Sequence, residues 1–206
     1  GTSTPVGALY TQTGAQANGS PSQVFEPANA AFSSQAADDF TVPAGATWAV
    51  TQLSVGGIGT GNPTSVNVFF YANTAGNLPG TAIASYNNVL TFVRTGGNYV
   101  VTLPAALNLA GGTYWVSFQV NMSFATSGQW FWGNFGAANI GNEYAWQNPG
   151  GGFATPCTNW GYGGTGCNVG GGPANRNNIF TLTGTSVVGG APLPGGYTFL
   201  WSPAAG

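Results

Sequence analysis

Apolar side chains in this chain recur at alternate positions in short runs, and each run is closed by Gly, Pro or Asn. No stretch sustains an i, i+3, i+4 spacing, so the core must be built from strands rather than amphipathic helices. Predicted strands cover 6–12, 36–43, 47–56, 64–72, 81–92, 98–103, 112–122, 128–136, 142–147, 177–184 and 196–202. Turn chemistry separates them at Pro43-Ala44-Gly45, Gly59 to Pro63, Asn77-Leu78-Pro79-Gly80, Gly96-Gly97-Asn98 and Ala110-Gly111-Gly112. Many short, regularly punctuated strands predict an all-β fold, an antiparallel β-sandwich or jelly roll.

Segment 112–122 shows the pattern most plainly. Tyr114, Val116, Phe118 and Val120 point one way, toward a core. Trp115, Ser117, Gln119 and Asn121 point the other way, toward an expected polar surface. In segment 128–136, Trp130 and Trp132 share one face and Phe131 and Phe135 the other, so one pair enters the core. The other pair must be exposed, covered by a loop, or buried by a partner.

Residues 148–177 are Gly-rich with no strand pattern, predicting a long loop of the kind that is functional or covered. Cys157 and Cys167, the only cysteines, lie in it and are predicted to form a disulfide. The expected β-sandwich domain spans 1–185. Residues 186–206 read as a Gly/Pro linker followed by an extra C-terminal strand, with Tyr197, Phe199 and Trp201 on one face and Leu200 on the other. Such a strand is an aggregation hazard unless it pairs with a sheet edge, its own or a neighbour's.

Charge narrows the function classes. The 206 residues include two basic and four acidic side chains and no histidine, against about 25% charged residues in an ordinary domain. The acidic residues are Glu26, Asp38, Asp39 and Glu143; the basic ones are Arg94 and Arg176. No basic stripe offers an electrostatic footprint for nucleic acid, and no apolar run approaches the ~20 residues that cross a bilayer. Without histidine or lysine, Ser-His-Asp and lysine-nucleophile chemistry are excluded. The adjacent Asp38 and Asp39 leave opposite faces of a strand and do not form a glycosidase pair. The chain is therefore read as a non-enzyme without cofactors. Asp38 and Asp39 are also considered as calcium ligands. The preferred expectation is simpler: one bonds to a neighbouring loop and the other faces water.

The segments ALYTQTG (8–14), AADDFTVPAG (36–45), VNVFFYANTAGNLPGT (66–81), LAGGTYWVSFQVN (109–121), GQWFWGN (128–134), WQNPGGGF (146–153), CTNWG (157–161) and IFTLTGT (179–185) carry a resemblance. Over residues 7–185 the chain resembles a family of secreted bacterial β-sandwich domains found in surface and extracellular proteins, of poorly defined function. The resemblance implies fold and export more than activity. The chain departs from that pattern in its poverty of charge and in the tail 186–206.

Two functions are expected from these features. The first is a structural subunit of an extracellular filament, pilus-like fibre or surface sheath, a homopolymer joined by strand addition through 196–202 or through 1–12. The alternative is a carbohydrate-binding, adhesive module that stacks polysaccharide on Trp130, Trp132, Trp146, Trp160 and Tyr162. The start at Gly1-Thr2-Ser3 rather than Met is read as that of a mature exported protein located outside the cell.

Overall fold

The computed structural model describes residues 2–189. The strand expected at 196–202, with Tyr197, Phe199, Leu200 and Trp201, lies outside the described residues. The strands in chain order are β1 (Thr2–Ser3), β2 (Gly7–Gln12), β3 (Asn18–Pro21), β4 (Gln23–Val24), β5 (Gln35–Val55), β6 (Gly57–Ile58), β7 (Ser65–Asn73) and β8 (Pro79–Val89). They continue with β9 (Phe92–Thr95), β10 (Asn98–Asn121), β11 (Phe131–Phe135), β12 (Ala145–Gln147), β13 (Gly161–Tyr162), β14 (Asn177–Asn178) and β15 (Phe180–Val188). Two short 3-10 turns, Pro27–Phe32 and Gly172–Ala174, and one short helix, α1 (Phe124–Ser127), interrupt them.

The architecture rests on one long ribbon folded in half. β5 and β10 pair antiparallel from Tyr99↔Val55 through to Phe118↔Ala36. Each was expected as two strands separated by a turn, at Pro43-Ala44-Gly45 and at Ala110-Gly111-Gly112. Instead both strands run on and bend together there, with a register shift between Ala110 and Gly112. Phe40 and Trp48 prove the fold-over. Eight positions along a straight strand would separate them by about 26 Å, yet their rings stack with centroids 6.2 Å apart. Gly45 takes the bend at φ 77°. Gly111 lies so close to the other strand that a Cβ there would stand 2.9 Å from Ala44 Cα.

The two halves of the ribbon form the two sheets of a β-sandwich. One half (35–42 with 112–121) is flanked by β7 and β8 on one side and by β12 and β13 on the other. The second half (46–55 with 98–110) is flanked by β9 and by β15, which in turn carries β2 and β1. Phe40, Phe70, Val116 and Phe118 from the first half meet Val50, Leu53, Tyr99 and Phe180 from the second in one core. The segment that was read as linker from 186 onward is strand as far as Val188, where β15 pairs with Ala46 and with Thr2. The N-terminal segment offered as an alternative donor pairs within its own chain, β2 against Phe180–Gly184.

The outer face of 112–122 is not the polar surface expected. Trp115 and Ser117 are fully buried, because Trp115, Ala37, Tyr71 and Ala145 form a second small core beneath Trp160, Phe69 and Leu78. Loop 148–177 supplies Trp160 to that cover.

The sandwich has two distinct poles. At the bend pole, the ribbon turns at Pro43–Gly45 and the described chain ends, the Gly189 N–H donating to the Gly45 carbonyl at 3.0 Å. At the opposite, open pole, β10 ends at Asn121, paired with Val24 and Ser65. The nine residue-to-residue steps of β10 from Gly112 to Asn121 put about 30 Å between the poles.

Candidate binding site at the open pole

Past Asn121 the chain turns into α1, and β4 takes over the place beside β10 that β5 has vacated, pairing in parallel with Val120 and Asn121. Glu26 ties the two pieces together. Its Oε2 accepts the Phe124 N–H at 2.8 Å, and its Oε1 accepts Asn29 Nδ2 at 2.7 Å and the Ala125 N–H at 3.3 Å. Free N–H groups at the start of α1 are thereby satisfied. Lost hydration pushes the Glu26 carboxyl up, but these three donors outweigh it and hold it down to about 2.

A third piece comes from the Gly-rich loop. Asn148 Nδ2 donates to the carbonyls of Ala31 (2.7 Å) and Ser33 (2.8 Å), and the Gly152 N–H donates to Ala31 O at 2.9 Å. A Cβ on Gly152 would lie 2.7 Å from that same carbonyl, so only glycine allows this approach. Phe153 is thereby laid edge-on against Phe32, with centroids 5.4 Å apart.

These three pieces enclose a cavity of about 270 Å³ lined by Phe25, Asn29, Phe32, Phe124, Gln129 and Phe153. Two of its aromatic walls stay largely open to solvent, Phe124 at 51% and Phe32 at 40% exposure. Gln129 Nε2 is buried there with no hydrogen-bond acceptor. A buried amide without a partner is costly, and here it sits among apolar rings. The volume lies below the ~300–1,000 Å³ of sites that hold a small molecule. It suits one or two apolar side chains.

The sequence-predicted sites fall elsewhere. Trp130, Trp132 and Trp146 are buried to 1%, 0% and 0% exposure, so they form no glycan platform. Their indole N–H groups donate to the carbonyls of Gly97, Ile179 and Pro21, each at 2.8 Å. Trp130 bridges Tyr99 and Phe118, and Trp132 bridges Phe118 and Phe180, so both pin the two sheets together. The burial follows from the pairing of β11 with β3, β6 and β14, which turns this face of the strand inward. Trp160 is half-buried against Tyr71, and Tyr162 donates its hydroxyl to Gly76 O at 3.2 Å. Cys157 and Cys167 are joined as expected.

The aspartates are both buried, and neither faces water. Asp38 Oδ2 accepts Gln12 Nε2 (2.7 Å) and the Asn178 N–H (2.6 Å), while its Oδ1 accepts the Asp39 N–H (2.8 Å). Asp39 accepts both the backbone and side-chain N–H of Asn142. With donors turned toward both carboxylates, calcium would meet the positive ends of N–H dipoles, and no cluster of three ligating side chains occurs among the described residues. Burial pushes Asp38 well above the usual carboxylate range and raises Asp39 as well. Glu143 is also buried, accepting the backbone N–H of Thr165 at 2.6 Å and its hydroxyl at 2.8 Å.

The remaining charges are also drawn in. Arg94 is half-buried and donates to Thr60 O, Gly96 O and Asn62 Oδ1. Arg176 is half-buried 3.9 Å from Glu143. Of the six charged side chains, none is exposed: three are buried and three half-buried.

The open-pole cavity was missed because Phe25, Phe32, Phe124 and Phe153 fall outside the alternating runs that reveal strands. Lone aromatics beside Pro, Ser and Gly were the available signal. Among the described residues no helix is long and apolar enough to cross a membrane. Comparison with family models, with curated proteins and with solved structures returned no match.

Proposed function

We propose that the protein is a structural subunit of an extracellular assembly, a filament, pilus-like fibre or surface sheath. Copies of the chain are joined by addition of the 196–202 strand of one to the next. The observation that carries this reading is the placement of charge: all six charged side chains are wholly or partly withdrawn from solvent. Ordinary monomers keep apart through exposed mixed charge and net charge, and this surface has given up that means. Exposed apolar side chains at both poles support the same reading, with Val6, Val187 and Val188 near the bend and Ile58, Phe32 and Phe124 at the open end. The disulfide fits an oxidising compartment outside the cytosol, and the resemblance to secreted bacterial β-sandwich domains points the same way.

Carbohydrate binding on a tryptophan platform is not carried forward, since three of its four tryptophans are core residues. Sedimentation velocity over a concentration series, followed by negative-stain microscopy, tests the structural role. The expected result is concentration-dependent growth into linear or sheet-like assemblies. Monodisperse globules at every concentration, unchanged by deleting 186–206, would overturn it.

A further inference from the structure

Resting on that structural reading, we infer that the aromatic cavity at the open pole is the acceptor site for the C-terminal segment of a neighbouring copy, with Phe199 and Trp201 as its plugs.

Polarity is the first argument. The described chain ends at Gly189, hydrogen-bonded to Gly45 at the bend pole, whereas the cavity lies past Asn121 at the other pole. The site that offers a tail and the site that receives one are therefore at opposite ends of the subunit. Such a heterologous contact repeats as an open chain instead of closing on itself.

Reach is the second. Eight residues from Gly189 to Tyr197 span at most about 29 Å fully extended. That is less than the ~30 Å between poles, before any detour over the surface. Within one molecule Phe199 (about 36 Å of chain) and Trp201 (about 43 Å) reach the cavity only if the tail runs largely extended along the whole subunit, an ordering that costs chain entropy. A neighbour stacked pole to pole brings the cavity beside the origin of the tail.

Chemistry is the third. Alternate aromatic positions of an extended 197–201 segment lie on one face, and the cavity presents four phenylalanines. The Gln129 Nε2 donor lacks an acceptor, and a turn of its side chain into the cavity would offer it to a backbone carbonyl of the segment. The segment 189–203 carries no charge, and the one charge near the cavity, Glu26, is already held by Asn29, Phe124 and Ala125. Docking desolvates no free ion.

The test uses full-length chains in two complementary variants. Phe124→Ser with Phe32→Ser alters only the two exposed walls, and a thermal melt confirms that this variant folds; Gln129→Ala is a second, independent change at the cavity. Phe199→Ala with Trp201→Ala blunts the plug. Each variant alone should need a roughly tenfold or higher concentration to assemble. Mixed one to one, they should form a discrete heterodimer, because one good cavity meets one good tail. If wild-type chains polymerise and the cavity variants do so equally well, the acceptor lies elsewhere and this inference falls while the structural role stands. If wild-type chains never associate, the structural role falls and takes this inference with it. If a wild-type monomer shows tail tryptophan emission that shifts with Phe124→Ser at any dilution, the tail occupies its own cavity and the inference is overturned.

Discussion

Gln12 reaches across from β2 to donate its Nε2 to Asp38 Oδ2 at 2.7 Å, in a site where both side chains are buried. With the Asn178 N–H on the same oxygen and the Asp39 N–H on the other, Asp38 gathers three separate parts of the chain around one carboxyl. Each contact is a donor facing an acceptor. In Asp38→Asn the new amide must turn an N–H toward one of these donors. The expected loss is about 1–3 kcal/mol for the group left unsatisfied, read as a lower urea midpoint with an unchanged m-value.

Stability should respond to acid in two opposed steps. Asp38 and Asp39 have raised values because burial disfavours their charge. Their contribution is complete below their ordinary value of 3.8 and is lost as pH rises through the raised values. Glu26 behaves oppositely. Its contribution is present above its ordinary 4.5 and disappears as pH falls through about 2. The melting temperature should therefore rise on acidification from neutral to about pH 4 and fall again below about pH 3. Glu26→Gln should abolish the fall and leave the rise.

Closing a loop between Cys157 and Cys167, ten residues apart, is worth roughly 2–3 kcal/mol on chain-entropy grounds. Reduction should lower the melting temperature. It should also loosen Trp160 from Tyr71, whose rings meet at 5.7 Å, before the main core opens. A red shift in tryptophan emission preceding the loss of sheet circular dichroism would register that order. Simultaneous loss would show the loop and core to be one cooperative unit.

Trp132→Ala separates a core residue from a binding platform. Fully buried between Phe118 and Phe180, this side chain should cost about 3–5 kcal/mol when truncated, measured by denaturant unfolding. A platform residue would instead lose affinity for polysaccharide with stability intact.

The bend makes a sharper test of the fold. A side chain at Gly111 meets backbone atoms of Pro43 and Ala44, each 2.9 Å from its Cβ. Gly111→Val must push the two strands apart, at an expected 1–3 kcal/mol, as overpacking usually costs. Gly96→Ala, at φ 60° with open space around it, should lose only about 1 kcal/mol of backbone preference.

Most strands could be read from alternation because the pleat and the core impose a period of two wherever one face is covered. The β7 and β15 segments were placed to within a few residues on that basis. The ribbon could not be read as continuous, since Pro43-Ala44-Gly45 has the same composition whether it ends a strand or bends one. Only the partner strand, bending at the same level, decides between them. The facing of Trp130 and Trp132 was equally hidden. Alternation shows that two rings share a face, and tertiary pairing determines which face turns inward. The open-pole cavity lies furthest from any local signal, because its four phenylalanines come from three separate segments brought together by Glu26 and Asn148.

The inward placement of the six charges has one more consequence. Dissolved salt acts on proteins chiefly by screening charges that face water, and this surface offers it no fully exposed charge to act upon. Contacts made by such a surface should hold alike in rainwater and in brine, a tolerance set by amino-acid placement without any dedicated binding of ions.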